Sequence, residues 1–342
     1  MATVGAPLVL SRDQILARRR AVSSLDERLP AGAASLRVAA WAGLSDSMPR
    51  AAILSIHARV EGTGPGILDD PSLVQVWGPR FSAYVVAAVD RAPFTLGRLP
   101  VDDAKRRFAI DTADQLEAFL AGRAMPYGEA GRGLGRNPNS LRYGTTTGRI
   151  LIRWEGARQP TIWTVPAPDM DPHEARLELA RRYLRVFGPG TRQGFGDWAG
   201  VRPATINAAF DGLAGALTGV RTPIGDAWIL AEDETGFRAA AADPAPARLL
   251  PSGDTFYLLQ DPDRALLVPD AKQRSRLWTS RVWPGAVLID GEVAGTWRRG
   301  GADVAIEPWR PLSPDRRAAV EAEAASLPLP GLDGPIRVRW EP

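Results

Sequence analysis

Ser45, Asp46 and Ser47 are the residues whose types and spacing could do chemistry. They stand in "WAGLSDSMPRAA", Trp41 to Ala52, between two helix-like apolar runs. A carboxylate can orient a water molecule or take its proton, and flanking hydroxyls can hold that water or a substrate oxygen. The same residues also suit a plainer task. Ser47, ahead of Met48 and Pro49, fits a helix N-cap, and Asp46 fits the positive end of the helix that Pro49 opens. The residues leave both readings open.

Arginine forms the second set. Only Lys105 and Lys272 are lysines among 42 basic residues, so the choice of cation favours the planar fork that suits phosphate and base edges. A GC-rich coding sequence accounts for much of that bias, so the distribution of arginines carries more than their number. Between Ala130 and Pro168 stand Arg132, Arg136, Arg142, Arg149, Arg153 and Arg158, with Asn139 among them and Glu155 as the single acid. Lys272, Arg274 and Arg276 lie beside Trp278 in "PDAKQRSRLW". Arg80 follows Trp77 in "WGPR", and Arg50 follows Pro49. Each group could meet DNA phosphates; a solvated face or a structural ion pair is the simpler alternative for each. His57 and His173 lack metal-ligand spacing and read as structural. No phosphate-cradling or dinucleotide fingerprint occurs.

These residues need elements to position them. One pattern recurs three times: helices, a turn, another helix, then two strands around a tight loop. The clearest copy runs from Tyr127 to Pro166. There, Tyr127 to Leu134 is helical, Asn137-Pro138 starts a second helix, and Arg149 to Trp154 and Thr161 to Val165 pair across "GARQP". The next copy has Leu177, Ala180, Tyr183, Leu184 and Phe187 on one helical face. A helix around Trp198, another over Thr205 to Leu213, and a hairpin around "PIGD" follow. A looser copy precedes both, with strands in "SLVQVWGPR" and "FSAYVVAAV". Helix, turn, helix, hairpin is the winged-helix order. The sequence therefore predicts an α+β chain: winged helices over 1–100, 101–168 (with a connecting helix from Val101 to Leu120) and 169–240. A β-rich domain over 241–342 would follow, with a late helix capped by Ser313. Wings are expected near 78–82, 155–160 and 222–227. "DTFYLLQ" and "ALLVP" read as strands of the last domain.

With these pieces in place the chain resembles the winged-helix DNA-binding family of the AlkZ and YcaQ DNA glycosylases. The matching segments include "GLSDS", "SLVQVWGPR", "ARRYLRVFGPGTRQGFGDWAGV", "RLLPSGDTFYLLQDPDRALLVPDAKQRSRLW", "VLIDGEVAGTWRR" and "PLSPDRRAAVEAEA". The resemblance implies a fold curved around duplex DNA and excision of alkylated or crosslinked bases, in some members as self-resistance to a DNA-damaging natural product. It also marks Asp254 and Arg264 as site candidates, although a turn and a salt bridge explain them. The family places Gln-x-Gln or Gln-x-Asp after a Gly-Leu pair; here Gly43-Leu44 precedes Ser45-Asp46-Ser47. The expectation is a glycosylase with Ser45, Asp46 and Ser47 at its reaction centre. The alternative is a non-catalytic DNA binder, a damage sensor or regulator, which the two serines favour.

The remaining expectations follow from composition. The 342 residues are 45% hydrophobic and 24% charged, as in a soluble globular chain. Zero cysteines exclude disulfides and thiolate metal sites. No apolar run is long enough for a bilayer, and no signal segment is legible. A cytoplasmic monomer is expected, with double-stranded, damaged DNA as partner, no cofactor and no metal.

Overall fold

The computed structural model describes residues 8–48, 50–156, 158–332 and 334–341. The first stretch holds β1 (Leu8–Val9), α1 (Arg12–Val22), α2 (Ala33–Ala39), β2 (Leu44–Ser45), α3 (Ala51–His57), β3 (Leu73–Trp77), β4 (Ala83–Ala87) and α4 (Arg91–Thr95). The second holds α5 (Asp103–Leu120), β5 (Met125–Pro126), α6 (Tyr127–Gly133), a 3-10 stretch at Pro138–Thr147, β6 (Ile150–Arg153) and β7 (Thr161–Thr164). The third holds α7 (Pro172–Phe187), α8 (Arg192–Ala199), α9 (Pro203–Gly212), β8 (Leu217–Thr222), β9 (Gly225–Leu230) and α10 (Glu234–Arg238). The last holds β10 (Ala247–Leu250), α11 (Asp263–Leu267), α12 (Ala271–Leu277), β11 (Gly285–Ile289), β12 (Glu292–Gly300), β13 (Asp303–Pro308), α13 (Pro314–Ala325) and β14 (Arg337–Trp340). Among the described residues, no helix is long and apolar enough to cross a membrane.

Local chemistry explains the helix starts. Ser11 and Gln14 form a reciprocal capping box on α1, and Asp102, Asp171, Thr191 and Ser313 cap α5, α7, α8 and α13. Pro172, Pro203 and Pro314 occupy first-turn positions, where the missing N–H costs nothing.

The three repeats share one pairing rule: a short strand between helices joins the second strand of the following hairpin. Leu44 pairs with Val85, Met125 with Ile162, and Gly190 bridges Trp228. The first two hairpins are not separate, however. Gln75 of β3 pairs with Ile152 of β6, which fuses them into one six-stranded sheet ordered β2-β4-β3-β6-β7-β5. The amino-terminal β1 leaves the first repeat and runs parallel to β8 of the third. Arg12 reaches Glu292, and Arg18 reaches Asp233, so α1 is tied to distant parts of the chain.

A five-stranded sheet, β10 to β14 in chain order, closes the fold with α13 against it. Two runs expected as strands are not. "DTFYLLQ" becomes a 3-10 turn at Thr255–Tyr257, capped by the Asp254 carboxylate, and "ALLVP" ends α11. Short apolar runs carry too little periodicity to separate the two states, and the buried Asp254 fixes the first as a turn.

Candidate nucleic-acid interface

The Ser45–Ser47 loop hangs from the edge of the six-stranded sheet. Gly43 precedes it with φ +71°, and a Cβ there would stand 3.0 Å from the rings of both Phe94 and Tyr84. Only glycine brings the chain this close. Ser45 then pairs with Tyr84, and the Asp46 N–H donates to the Ala83 carbonyl at 2.8 Å.

Asp46 turns inward. Its side chain is fully buried; Oδ1 accepts the Ala52 N–H at 3.1 Å, and Oδ2 accepts the Gln75 amide at 2.9 Å. Gln75 in turn accepts the Trp154 N–H through its Oε1 at 2.6 Å. One buried line therefore joins the β6–β7 loop, strand β3 and the start of α3. Burial pushes the Asp46 carboxyl up to about 7, against the pull of the Ala52 and Arg50 N–H groups and the charges of Arg50 and Arg153. The expectation that Asp46 acts on a water in a cleft is corrected by this placement: both oxygens are occupied and neither reaches solvent. The capping expectation moves as well. Asp46, not Ser47, meets the N–H groups of α3, whose N-cap position is taken by Arg50 in the left-handed conformation (φ 67°). Pro49 lies outside the described residues.

Ser47 emerges on the surface, its Oγ 3.3 Å from that of the nearly buried Ser45. On one side lies a cleft of about 410 Å³ lined by Ser47, Trp77, Arg80, Arg142, Trp154 and Gln159, among others. On the other, a cleft of about 650 Å³ runs between α3 and the carboxy-terminal sheet, past Met48, Arg50, Trp283, Trp297, Arg298 and Arg299. Arg142 stands 5.5 Å from the Trp77 ring and 5.9 Å from that of Tyr127, and its buried Nε has no hydrogen-bond partner. Arg158 also lines the first cleft. Among the described residues, Arg50, Arg80, Arg142, Arg158, Arg298 and Arg299 form no ion pair; Arg298 and Arg299 bond only to carbonyls. Among the described residues, no carboxylate lines the first cleft.

Arg80 and Phe81 form the tip of the β3–β4 hairpin, with φ 55° and 56°. Two adjacent non-glycine residues in that region carry about 1–2 kcal/mol of strain each. Gly200, at the end of α8, holds the tip: a Cβ on it would stand 2.8 Å from the Arg80 backbone.

The chain is similar to known proteins over most of its length. A family model, "DNA glycosylase AlkZ-like", matches residues 38–328. The chain belongs to the AlkZ-like DNA glycosylase family. No curated protein matches it. The solved structure of the Streptomyces sahachiroi DNA glycosylase AlkZ superposes with a TM-score of 0.78 at 18% identity, covering 98% of this chain and 100% of that one. At that identity the likeness establishes a shared fold, a mixed α+β arrangement of helices and several sheets.

Family membership implies DNA as the substrate, and the bonds that each remaining cation makes sort them. Arg132, Asn139 and Lys272 are exposed and available. Arg153 is not: it binds Asp69, Glu155 and the Leu68 carbonyl. Arg136 donates to Thr112, Arg149 pairs with Asp114 and Glu117, Arg274 holds the Val268 and Pro269 carbonyls, and Arg276 pairs with Glu307. Arg149 and Arg276 meet acids from distant segments, which linear spacing hides, while Arg136 is held by a hydroxyl and Arg274 by nearby carbonyls. Asp254 is 1% exposed, binds Arg59 through both oxygens at 2.8 Å and takes the Ser55 hydroxyl at 2.6 Å. It locks α3 to the carboxy-terminal part. Arg264 lies 5.2 Å from the rings of both Trp278 and Trp283 and donates to the Leu259 carbonyl. His57, held at about 4 by burial beside Arg28 and Arg248, stays neutral and meets Ser326 at 3.0 Å.

Sequence reading missed Gln75, Tyr127, Trp154 and Gln159. Gln75 had a signal: a lone amide inside the apolar strand "LVQVW".

Proposed function

We propose that this chain binds damaged duplex DNA across the Ser45–Arg50 loop and hydrolyses the N-glycosidic bond of an alkylated or bulky base there. The observation that carries the reading is the loop's position between two clefts lined by aromatic rings and by arginines without acidic partners. Such cations fit phosphates, and rings beside them fit a base taken out of the stack. In this reading water adds to the sugar C1′ and releases one proton to bulk solvent, the bond to the base nitrogen breaks, and the base leaves with the electron pair. A base alkylated at N7 or N3 already carries positive charge, so it departs without an acid. Ser47 and the Gln159 amide would hold the water; Asp46 would hold the loop. Ser45 supports Ser47. The three helix–hairpin units, read as winged helices over 1–100, 101–168 and 169–240 with a β-rich remainder over 241–342, would curve along the duplex.

The test is incubation with N7-methylguanine DNA, followed by alkaline cleavage of abasic sites. Strand cleavage is expected with the native chain and should fall about a hundredfold with the double variant Ser47→Ala, Gln159→Ala, the usual scale for a water-activating group. A second reading, binding without catalysis, is favoured by the missing acid in the Ser47 cleft. Tight binding with no base release would select it.

A further inference from the structure

A larger cleft, about 1090 Å³, lies on the other side of the Arg80–Phe81 tip. It is bounded by the start of α5, the 3-10 stretch at 138–147 and the turn between α8 and α9. Phe81 lines both this cleft and the Ser47 cleft, so the two adjoin. Phe108 and Tyr143 stand in its wall, 44% and 48% exposed, an unusual position for rings of this size. Their ring centres are 5.8 Å apart edge to face, and Phe81 adds a third ring 5.1 Å from Tyr143.

The floor of the cleft is charged. Arg98 is only 4% exposed; Nε donates to the Ala199 carbonyl at 3.0 Å and Nη1 to that of Trp77 at 3.1 Å. It pairs with no carboxylate, and its Nη2 makes no hydrogen bond, among the described residues. Burial lowers the guanidinium to about 9, a sign of a cation held out of water without a counter-charge. Exposed Lys105 and Arg202 line the rim. Arg202 is also the N-cap of α9 and offers no side-chain bond, so that helix presents an uncapped positive end to the same space. Among the described residues Asp102 is the only acid in the lining, and its carboxylate is committed to the Lys105 N–H at 2.9 Å.

We infer that this cleft receives an unstacked nucleotide of the bound DNA, its base against Phe108 and Tyr143 and its phosphate against Arg98, Lys105 and Arg202. Rings with sequence-tolerant faces beside a basic track are the general recipe for holding single-stranded nucleic acid. Continuity through Phe81 selects a DNA strand over a free aromatic acid: a strand lying on the Arg142 side passes the hairpin tip directly into this space. The inference rests on the DNA reading above.

The test compares the full chain with Phe108→Ala, Tyr143→Ala, both positions being exposed enough to tolerate the change. Binding is measured to a short single strand with a central 2-aminopurine, to the same strand with an abasic centre, and to an intact duplex. The native chain should bind the 2-aminopurine strand with a fluorescence change, and bind the abasic strand severalfold more weakly. The double variant should lose about tenfold or more in affinity for the first strand, the scale of base–aromatic stacking, with duplex affinity within twofold. Duplex binding with no single-strand loss in the variant, or equal affinity for the abasic strand, overturns the inference alone. Failure to bind either form overturns the DNA reading with it.

Discussion

Replacing Asp46 with Asn should remove a pH dependence that the native fold carries. The carboxyl is held at about 7, against an ordinary value of 3.8. Between those values the unfolded chain releases this proton and the folded chain keeps it. Stability from this group is therefore full below about pH 4 and is lost as pH rises through about 7. The whole span corresponds to about 4 kcal/mol, and about 2.5 kcal/mol of it falls between pH 5 and pH 8. Asn abolishes that term and adds a conflict. Its oxygen can still accept from Ala52, but its amide then faces the Gln75 amide donor, and turning Gln75 over would forfeit the Trp154 N–H bond. An unsatisfied buried donor costs about 1–3 kcal/mol. Urea unfolding of both proteins at pH 5 and pH 8 measures the effect. The native chain's advantage over the variant should be about 2.5 kcal/mol larger at pH 5 than at pH 8. An advantage that stays constant over this range would refute the account of Asp46 as a buried, proton-retaining carboxyl. DNA affinity of the folded variant should change little, because neither oxygen faces a cleft.

Further outcomes follow from the same geometry. Arg142→Ala with Arg158→Ala should weaken duplex binding across sequences and flatten the log–log salt slope by about 1.8 if each meets one phosphate; an unchanged slope removes this cleft from the interface. Gly200→Ala should cost at least about 1–2 kcal/mol in thermal unfolding, since its φ of +67° and the 2.8 Å approach to Arg80 both oppose a Cβ; Gly215→Ala, where nothing stands within 4 Å, is the control. Arg59→Met strands the buried Asp254 and should cost about 3–5 kcal/mol, with part recovered by adding Asp254→Asn. A loss under about 1 kcal/mol would contradict the pair's burial.

Periodicity and capping made much of the fold legible. The apolar face of Leu177, Ala180, Tyr183, Leu184 and Phe187 and the Ser313 cap correspond to the helices α7 and α13. All three hairpins lie where turn residues interrupt alternating runs. What the sequence hid was long-range. The pairing of Gln75 with Ile152, which merges two repeats into one sheet, leaves no local signature. The same limit governs the arginines: Arg142 and Arg153 read alike in sequence, yet one stands in an aromatic cage and the other is spent on Asp69 and Leu68. Asp46 was legible as a cap and as a carboxylate. Only the fold decides which way it turns: β2 ends at Ser45, and the chain beyond it sets the Asp46 carboxyl against the Ala52 N–H and the Gln75 amide.

That placement also constrains the proposed chemistry. A buried Asp46 bonded to Gln75 and Ala52 cannot protonate a departing base, and the described lining of the Ser47 cleft offers hydroxyls, an amide and arginines but no carboxylic acid. Hydroxyls and amides orient water well but are poor proton donors at neutral pH. A base that must be protonated to leave would therefore find no help here. A base made cationic by alkylation needs none, and its departure restores a neutral ring. The residues at this loop thus confine the proposed hydrolysis to leaving groups that bring their own charge. Under the proposed mechanism, methylated purines would be released and uracil or unmodified mismatched bases would not.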